Sequence, residues 1–264
     1  MLSKENFKRD LSLVREKSPL VHNITNYVVM NNTANALLAV GASPVMAHSI
    51  DEVADMASIA SSLVINIGTL EKSWVESMIV AGKTAKTRGI PVVFDPVGVG
   101  ATPYRLKISE EILKECSPSI IRGNASEIIS LVRAGVKTKG VDSTAAADDA
   151  ISSAKELAKQ TNAIVVVSGA VDVITDGERV ERIYNGNALM AKVTGMGCTA
   201  TAIVGAFAAI DTDLFNAAAY GMATMGVAGE IAAKSARGNG TMQLYFLDAL
   251  TNLSTMDIDK VFTC

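Results

Sequence analysis

Eight short apolar runs, each set off from the next by a turn or a longer stretch with helical spacing, limit what this chain can fold into. The runs lie at 19–21, 44–47, 63–67, 91–94, 119–122, 163–168, 173–175 and 180–184. Several, among them VINI, PVVF and AIVVVS, are apolar at nearly every position rather than at alternate ones. Strands covered on both faces look like this, and such strands belong to parallel sheets. Helical patterns occupy 5–16, 27–40, 50–60, 71–87, 104–116, 125–134, 144–160, 198–210, 214–236 and 242–254. Asn124 precedes one of them with Glu127 three residues on, as a capping pair requires. Asp142, Ser143 and Thr144 offer alternative N-caps for another. The repeated strand–helix order predicts an α/β fold of three layers, a central, mostly parallel sheet flanked by helices. No repeat or linker divides the chain, and α/β folds run to about 250 residues as one unit, so residues 1–264 are expected to form a single domain.

Composition narrows the functional classes. The chain is 49% hydrophobic and 19% charged with a net charge of −3, which excludes a disordered polymer and gives no basic footprint for nucleic acid. No stretch of about 18 apolar residues runs without glycine or polar interruption, so no membrane span is expected. The first residues, MLSKENFKRDLSLVREKSP, are charged and lack an apolar signal core, which points to a cytoplasmic protein. Three scattered cysteines, Cys116, Cys198 and Cys264, and two histidines make neither a disulfide framework nor a zinc cluster.

In open parallel sheets, ligands bind beyond the carboxyl ends of the strands. The segments there are HNITN, AHS, GT, DPVGVGAT, GNASE and SGAVD. Turn chemistry explains any one of them; six on one edge point to a site. The sharpest signal is VTGMGCTA, where Gly195 and Gly197 precede a helix of small residues. Outward-facing N–H groups at a helix N-terminus carry about half a positive charge and suit a phosphate. Cys198 falls at the first turn of that helix, where a thiol's pKa is expected to be depressed and its sulfur to accept a proton or polarise a hydroxyl; an inert, buried thiol is the plainer reading. Asp95, at a strand end, can hold Mg²⁺ directly or through water or can simply start the turn before Pro96. Arg122 can fork onto a phosphate, and Glu127 can cap its helix and reach a metal or its waters. His22 and Asn23 follow the first run, Met46 and His48 the second; a lone histidine is more often structural, and a methionine at a loop edge can pack on an aromatic ring. Two look-alikes fail. GVGA has Pro103 where a dinucleotide fingerprint needs its last glycine, and Gly82-Lys83-Thr84 lies inside a helical pattern with Ser77 in place of the first Walker glycine.

Four segments, LVHNITNYVVMNNTANALLAVGASPVMAHS, VVFDPVGVGAT, IRGNASEI and VTGMGCTATAIVGAFAA, resemble the hydroxyethylthiazole kinases in that order, over nearly the whole chain. The Asn124-x-x-Glu127 and Gly195-x-Gly197 elements are shared with the wider ribokinase-like superfamily. The resemblance implies a ribokinase-like fold and ATP- and Mg²⁺-dependent phosphorylation of the primary alcohol of 4-methyl-5-(2-hydroxyethyl)thiazole, in thiamine salvage. It implies that Arg122, Ser168 and Gly197 contact ATP, that Met46, Gly195 and Asn23 contact the thiazole, and that Asp95 and Glu127 organise Mg²⁺. It also implies a homotrimer with sites between subunits. Cys198 departs from the superfamily, which usually places an aspartate base there. The competing enzyme on the same fold is a nucleotide-dependent dehydratase acting on hydrated NAD(P)H.

Overall fold

A computed structural model describes residues 2–133 and 145–264. The eight strands form one sheet in the order β2-β1-β3-β4-β5-β6-β7-β8. They are β1 (Leu20–Ile24), β2 (Ser43–Val45), β3 (Ser62–Asn66), β4 (Val92–Asp95), β5 (Ile120–Asn124), β6 (Ile164–Ser168), β7 (Asp172–Thr175) and β8 (Val180–Ile183). The first six pair in parallel, and β7 and β8 close the far edge antiparallel. The three-layer, mostly parallel architecture expected from the sequence is therefore present.

Strand residues alternate between two apolar clusters, one on each face of the sheet. Val21, Val64, Val93, Ile120 and Val166 face one cluster, which is completed by α1 (Lys4–Lys17), α2 (Met30–Val40), α8 (Met196–Ala208), α9 (Leu214–Ala233), α10 (Asn239–Asn252) and α11 (Thr255–Val261). Leu63, Ile65, Phe94, Ile121 and Val165 face the other, under α3 (Val53–Ile59), α4 (Lys72–Arg88), α5 (Pro103–Cys116), α6 (Ala125–Arg133) and α7 (Ala145–Thr161). Near-continuous apolar strands follow from this two-sided burial.

The small residues of α8 serve close internal packing. Every residue from Thr199 to Ala208 is buried, and a Cβ on Gly205 would come within 2.8 Å of Val64 Cγ2. A helix buried all round needs no polar face, which is why CTATAIVGAFAA has none. Its N-terminus is thereby pinned at the carboxyl edge of the sheet.

Boundaries differ from the sequence reading where side chains rather than hydrophobicity decide them. β1 runs on through His22 and Asn23 to Ile24. α2 begins only at Met30, because Asn26 first closes a turn with its side chain on the Val28 N–H. α8 begins at Met196, two residues before Cys198. The Asp142–Thr144 caps lie outside the described residues. A 3-10 turn, Ala188–Lys192, and α11 were not expected from periodicity; α11 is announced by Ser254, whose hydroxyl accepts from the Asp257 N–H. Among the described residues, no helix is long and apolar enough to cross a membrane.

Candidate active site

The sheet order reverses direction between β1 and β3, since β2 lies on one side of β1 and β3 to β6 follow on the other. A crevice at the carboxyl ends is expected at that point. There the structure builds a continuous chain of polar contacts. Asn26, just past β1, donates from Nδ2 to Asn66 Oδ1 at 2.9 Å and to Cys198 Sγ at 3.4 Å. Asn66, the last residue of β3, donates to Asp95 Oδ2 at 2.8 Å. Thr201, one turn into α8 from Gly197, donates to the same oxygen at 2.7 Å. The Arg122 guanidinium stands 3.8 Å from that oxygen and donates to Ser168 Oγ at 2.5 Å. The ends of β1, β3, β4, β5 and β6 thus converge on the first turn of α8.

Electrostatics make this cluster costly to hold. Asp95 is fully buried, and desolvation pushes its carboxyl up to about 6 despite Arg122, with the nearby Glu127 charge pushing the same way. Its Oδ1 is buried without a partner, as is Arg122 Nε. Buried polar atoms are nearly always paired, and orphans concentrate where a ligand is handled. Asp172, also facing Arg122, is raised by burial to about 6.

Cys198 overturns one expectation. Its thiol is pushed up to about 11, chiefly by desolvation and then by the Asp95 charge, not lowered by the helix N-terminus. At neutral pH it is a protonated thiol.

Gly195 is the N-cap of α8 with φ 88°, a conformation glycine adopts freely, and a Cβ there would meet Val29 Cγ1 at 2.7 Å. Gly197 lies in the first turn, where the Arg122 Nη1 atom would be only 2.9 Å from an added Cβ. The guanidinium therefore packs against the first turn of α8, whose N–H groups have no intrahelical acceptors. Positive charge from two sources meets here, in a site suited to an anion.

Glu127 is engaged on both oxygens, Oε1 accepting from the Gly98 N–H and Oε2 from the Asn124 N–H, each at 2.8 Å. The Asn124–Glu127 capping pair is formed as expected, with Asn124 Oδ1 accepting from the Glu127 N–H at 3.0 Å. The carboxylate also ties the loop after β4 to the end of β5. Among the described residues, no three His, Cys, Asp or Glu side chains gather to hold a metal unaided.

Asn23, within β1, and Met46, past β2, which the resemblance assigns to the thiazole, stand outside this network. Asn23 turns its amide back to the Val21 carbonyl, and its Oδ1 is buried without a partner. Met46 sits half-buried just past β2, its carbonyl 3.1 Å from His48 Nδ1. His22 is tied structurally, with Nε2 2.7 Å from the Ala47 carbonyl. Lys83 pairs with Glu115 at 2.9 Å on the surface of α4, away from the strand ends, in line with the rejected Walker reading. The cluster's own asparagines, Asn26 and Asn66, were not singled out by sequence, although both follow the strand-end rule that selects Asp95.

Comparison with known proteins places the chain in a family and a fold. Residues 11–256 match the model of the hydroxyethylthiazole kinase family. The hydroxyethylthiazole kinase of Leptospira biflexa is 55% identical over 256 residues, covering 97% of this chain and 96% of its own. The solved structure of a hydroxyethylthiazole kinase from Pyrococcus horikoshii superposes with a TM-score of 0.91 at 40% identity, over 98% of each chain. A ribokinase-like superfamily protein from Enterococcus faecalis shares the fold alone, at 12% identity and a TM-score of 0.67 over 98% of this chain and 95% of that one.

Proposed function

This chain belongs to the hydroxyethylthiazole kinase family, and we propose how its own residues carry out the phosphorylation of the primary alcohol of 4-methyl-5-(2-hydroxyethyl)thiazole by ATP. The observation that carries the proposal is the unbroken set of contacts from Asn26 through Asn66, Asp95 and Arg122 to Ser168 around the start of α8. Transfer of a phosphoryl group through a loose transition state demands positioning and charge stabilisation more than a strong base.

Arg122 binds the ATP phosphates through its guanidinium, which Ser168 orients. The first-turn N–H groups at Gly197 and Cys198 take up phosphate charge from the other side. Asn66 and Thr201 hold Asp95 Oδ2, so that Oδ1 is left to face a cation. The orphaned Asp95 oxygen, with Glu127 nearby, would hold Mg²⁺, a hard cation that takes oxygen ligands and would supply positive charge against the phosphates. Met46, Gly195 and Asn23 contact the thiazole, and Asn26 joins them through its bond to Cys198. The protonated Cys198 thiol orients the attacking hydroxyl by hydrogen bonding.

The relatives described above are thiazole kinases, and no observation in the site favours a hydrated-cofactor dehydratase. We further propose one kinase domain spanning 1–264 that works in the cytoplasm as a homotrimer with sites between subunits. Exposed apolar side chains at Tyr27, Val28, Leu38, Ile50 and Ile59, all between β1 and β3, support a subunit contact there. Sedimentation equilibrium tests it: the mass of three chains is expected, and a monomer would reject it.

The nucleotide half is tested by Arg122→Gln. Hydrogen bonds to a charged group contribute about 1.5–3 kcal/mol, so KM for ATP should rise roughly 10- to 100-fold with little change in KM for the alcohol. An unchanged KM for ATP would remove Arg122 from the nucleotide site.

A further inference from the structure

Trp74 is the only tryptophan in the chain, and it lies in the first turns of α4, outside the polar network. It is 4% exposed. Two rings from two different loops rest on it. Tyr27, past β1, has its centroid 4.5 Å away at 49°. His48, past β2, is 4.3 Å away at 39°. The Tyr27 distance falls at the near edge of the range of favourable aromatic pairs, and the imidazole of His48 packs slightly closer still.

Tyr27 is bound onward to the connection between β3 and α4, and His48 within its own loop. The Tyr27 hydroxyl donates to Glu71 Oε2 at 3.0 Å, and its N–H donates to Thr69 Oγ1 at 3.2 Å. Its chain neighbour Asn26 is the residue that reaches Cys198 and Asn66. The His48 ring touches the Met46 carbonyl. β1 and β2 are paired only as far as His22 and Val45, so no ladder bond fixes the two loops beyond those residues. His22 holds the second loop to β1 itself, Nε2 lying 2.7 Å from the Ala47 carbonyl, and the indole is the side chain on which both loops rest.

We propose that Trp74 is a positioning residue for the alcohol-binding half of the site. It sets the distance between the Asn26–Tyr27 loop and the Met46–His48 loop, and through them the affinity for the thiazole alcohol. The nucleotide half is reached only through Asn26, Asn66 and Asp95, and Arg122 lies on β5, three strands from β1 or ~14 Å at ~4.8 Å per strand, so the effect there should be much smaller. The inference deepens the functional proposal above and rests on it.

Steady-state kinetics of Trp74→Ala and Trp74→Phe test it, with fluorescence of the wild-type enzyme. The alanine variant should raise KM for the thiazole alcohol about tenfold or more, with KM for ATP within about twofold, and phenylalanine should restore most of the loss because it keeps a ring between the loops. In the wild type, the thiazole alcohol alone should change Trp74 emission saturably, and MgADP alone should leave it unchanged. A parallel rise in both KM values, a loss confined to thermal stability, or emission insensitive to the alcohol would each overturn the inference while leaving the kinase reading standing. A wild type that forms no thiazole phosphate would overturn that reading and this inference with it.

Discussion

Replacing Asp95 with asparagine removes a buried charge while keeping its shape. The amide oxygen can still accept from Asn66 and Thr201, and the amide nitrogen falls where Oδ1 now has no partner. The carboxyl is raised from 3.8 to about 6 in the fold. A folded pKa above the unfolded one means that protonation favours the folded state. That stabilisation is complete below the unfolded pKa, declines as pH rises and is gone once pH passes the folded pKa. At about 1.4 kcal/mol per unit, the charged form costs the fold about 3 kcal/mol well above pH 6, and about 2 kcal/mol of that accrues between pH 4.5 and 7. Asp10 and Asp172 are raised to about 6 as well, so the wild-type profile alone is not diagnostic. The difference between variant and wild type cancels their contribution. Urea unfolding at fixed pH values should show Asp95→Asn gaining about 2 kcal/mol on the wild type between pH 4.5 and 7. A difference that stays flat over that range would refute the buried, strained carboxylate. The same titration should place an acid limb near pH 6 in wild-type kcat/KM, which reports the free enzyme, and the stabilised variant should be nearly inactive.

Three further outcomes follow from the geometry. Cys198→Ala should lower kcat by about tenfold or less, since loss of a true general base typically costs 10²–10⁴-fold; a larger loss, measured by coupled ADP release, would make the thiol the base. Arg105 donates to the carbonyls of Ile67, Gly68 and Val97 at 2.6–2.8 Å, stapling the loops after β3 and β4, so Arg105→Ala should cost roughly 1–3 kcal/mol in urea unfolding and lower kcat/KM by at least about tenfold; full activity would show that the staple does not shape the site. Gly195→Ala forces a side chain into φ 88° and onto Val29, with an expected cost of about 1–3 kcal/mol and a raised KM for the thiazole alcohol; an unchanged KM for the alcohol would remove Gly195 from the alcohol site.

The sheet was legible because burial on both faces imprints apolar runs such as VINI and AIVVVS. The Gly195–Gly197 turn and Asp95 were legible because a strand end or helix start restricts residue choice. Asn26 and Asn66 obey the same strand-end rule, yet asparagine is so common in turns that neither stood out. Thr201 is visible only once α8 is placed, since it needs the one-turn offset from Gly197. Arg105 and Trp74 carry no local signal at all. Their roles arise from loops that the sheet order brings together, 37 residues apart in the case of Arg105 and Gly68. The raised thiol of Cys198 was likewise hidden, because burial beside Asp95 outweighs the helix N-terminus.

The central claim is that this sheet edge transfers the γ-phosphoryl group of ATP to the thiazole alcohol. Incubating the enzyme with ATP, Mg²⁺ and hydroxyethylthiazole, and quantifying products by mass spectrometry, tests it most directly. Thiazole phosphate and ADP should form in equal amounts, dependent on the alcohol and on Mg²⁺. ADP formed without thiazole phosphate, or no turnover by an enzyme that still binds ATP, would contradict it.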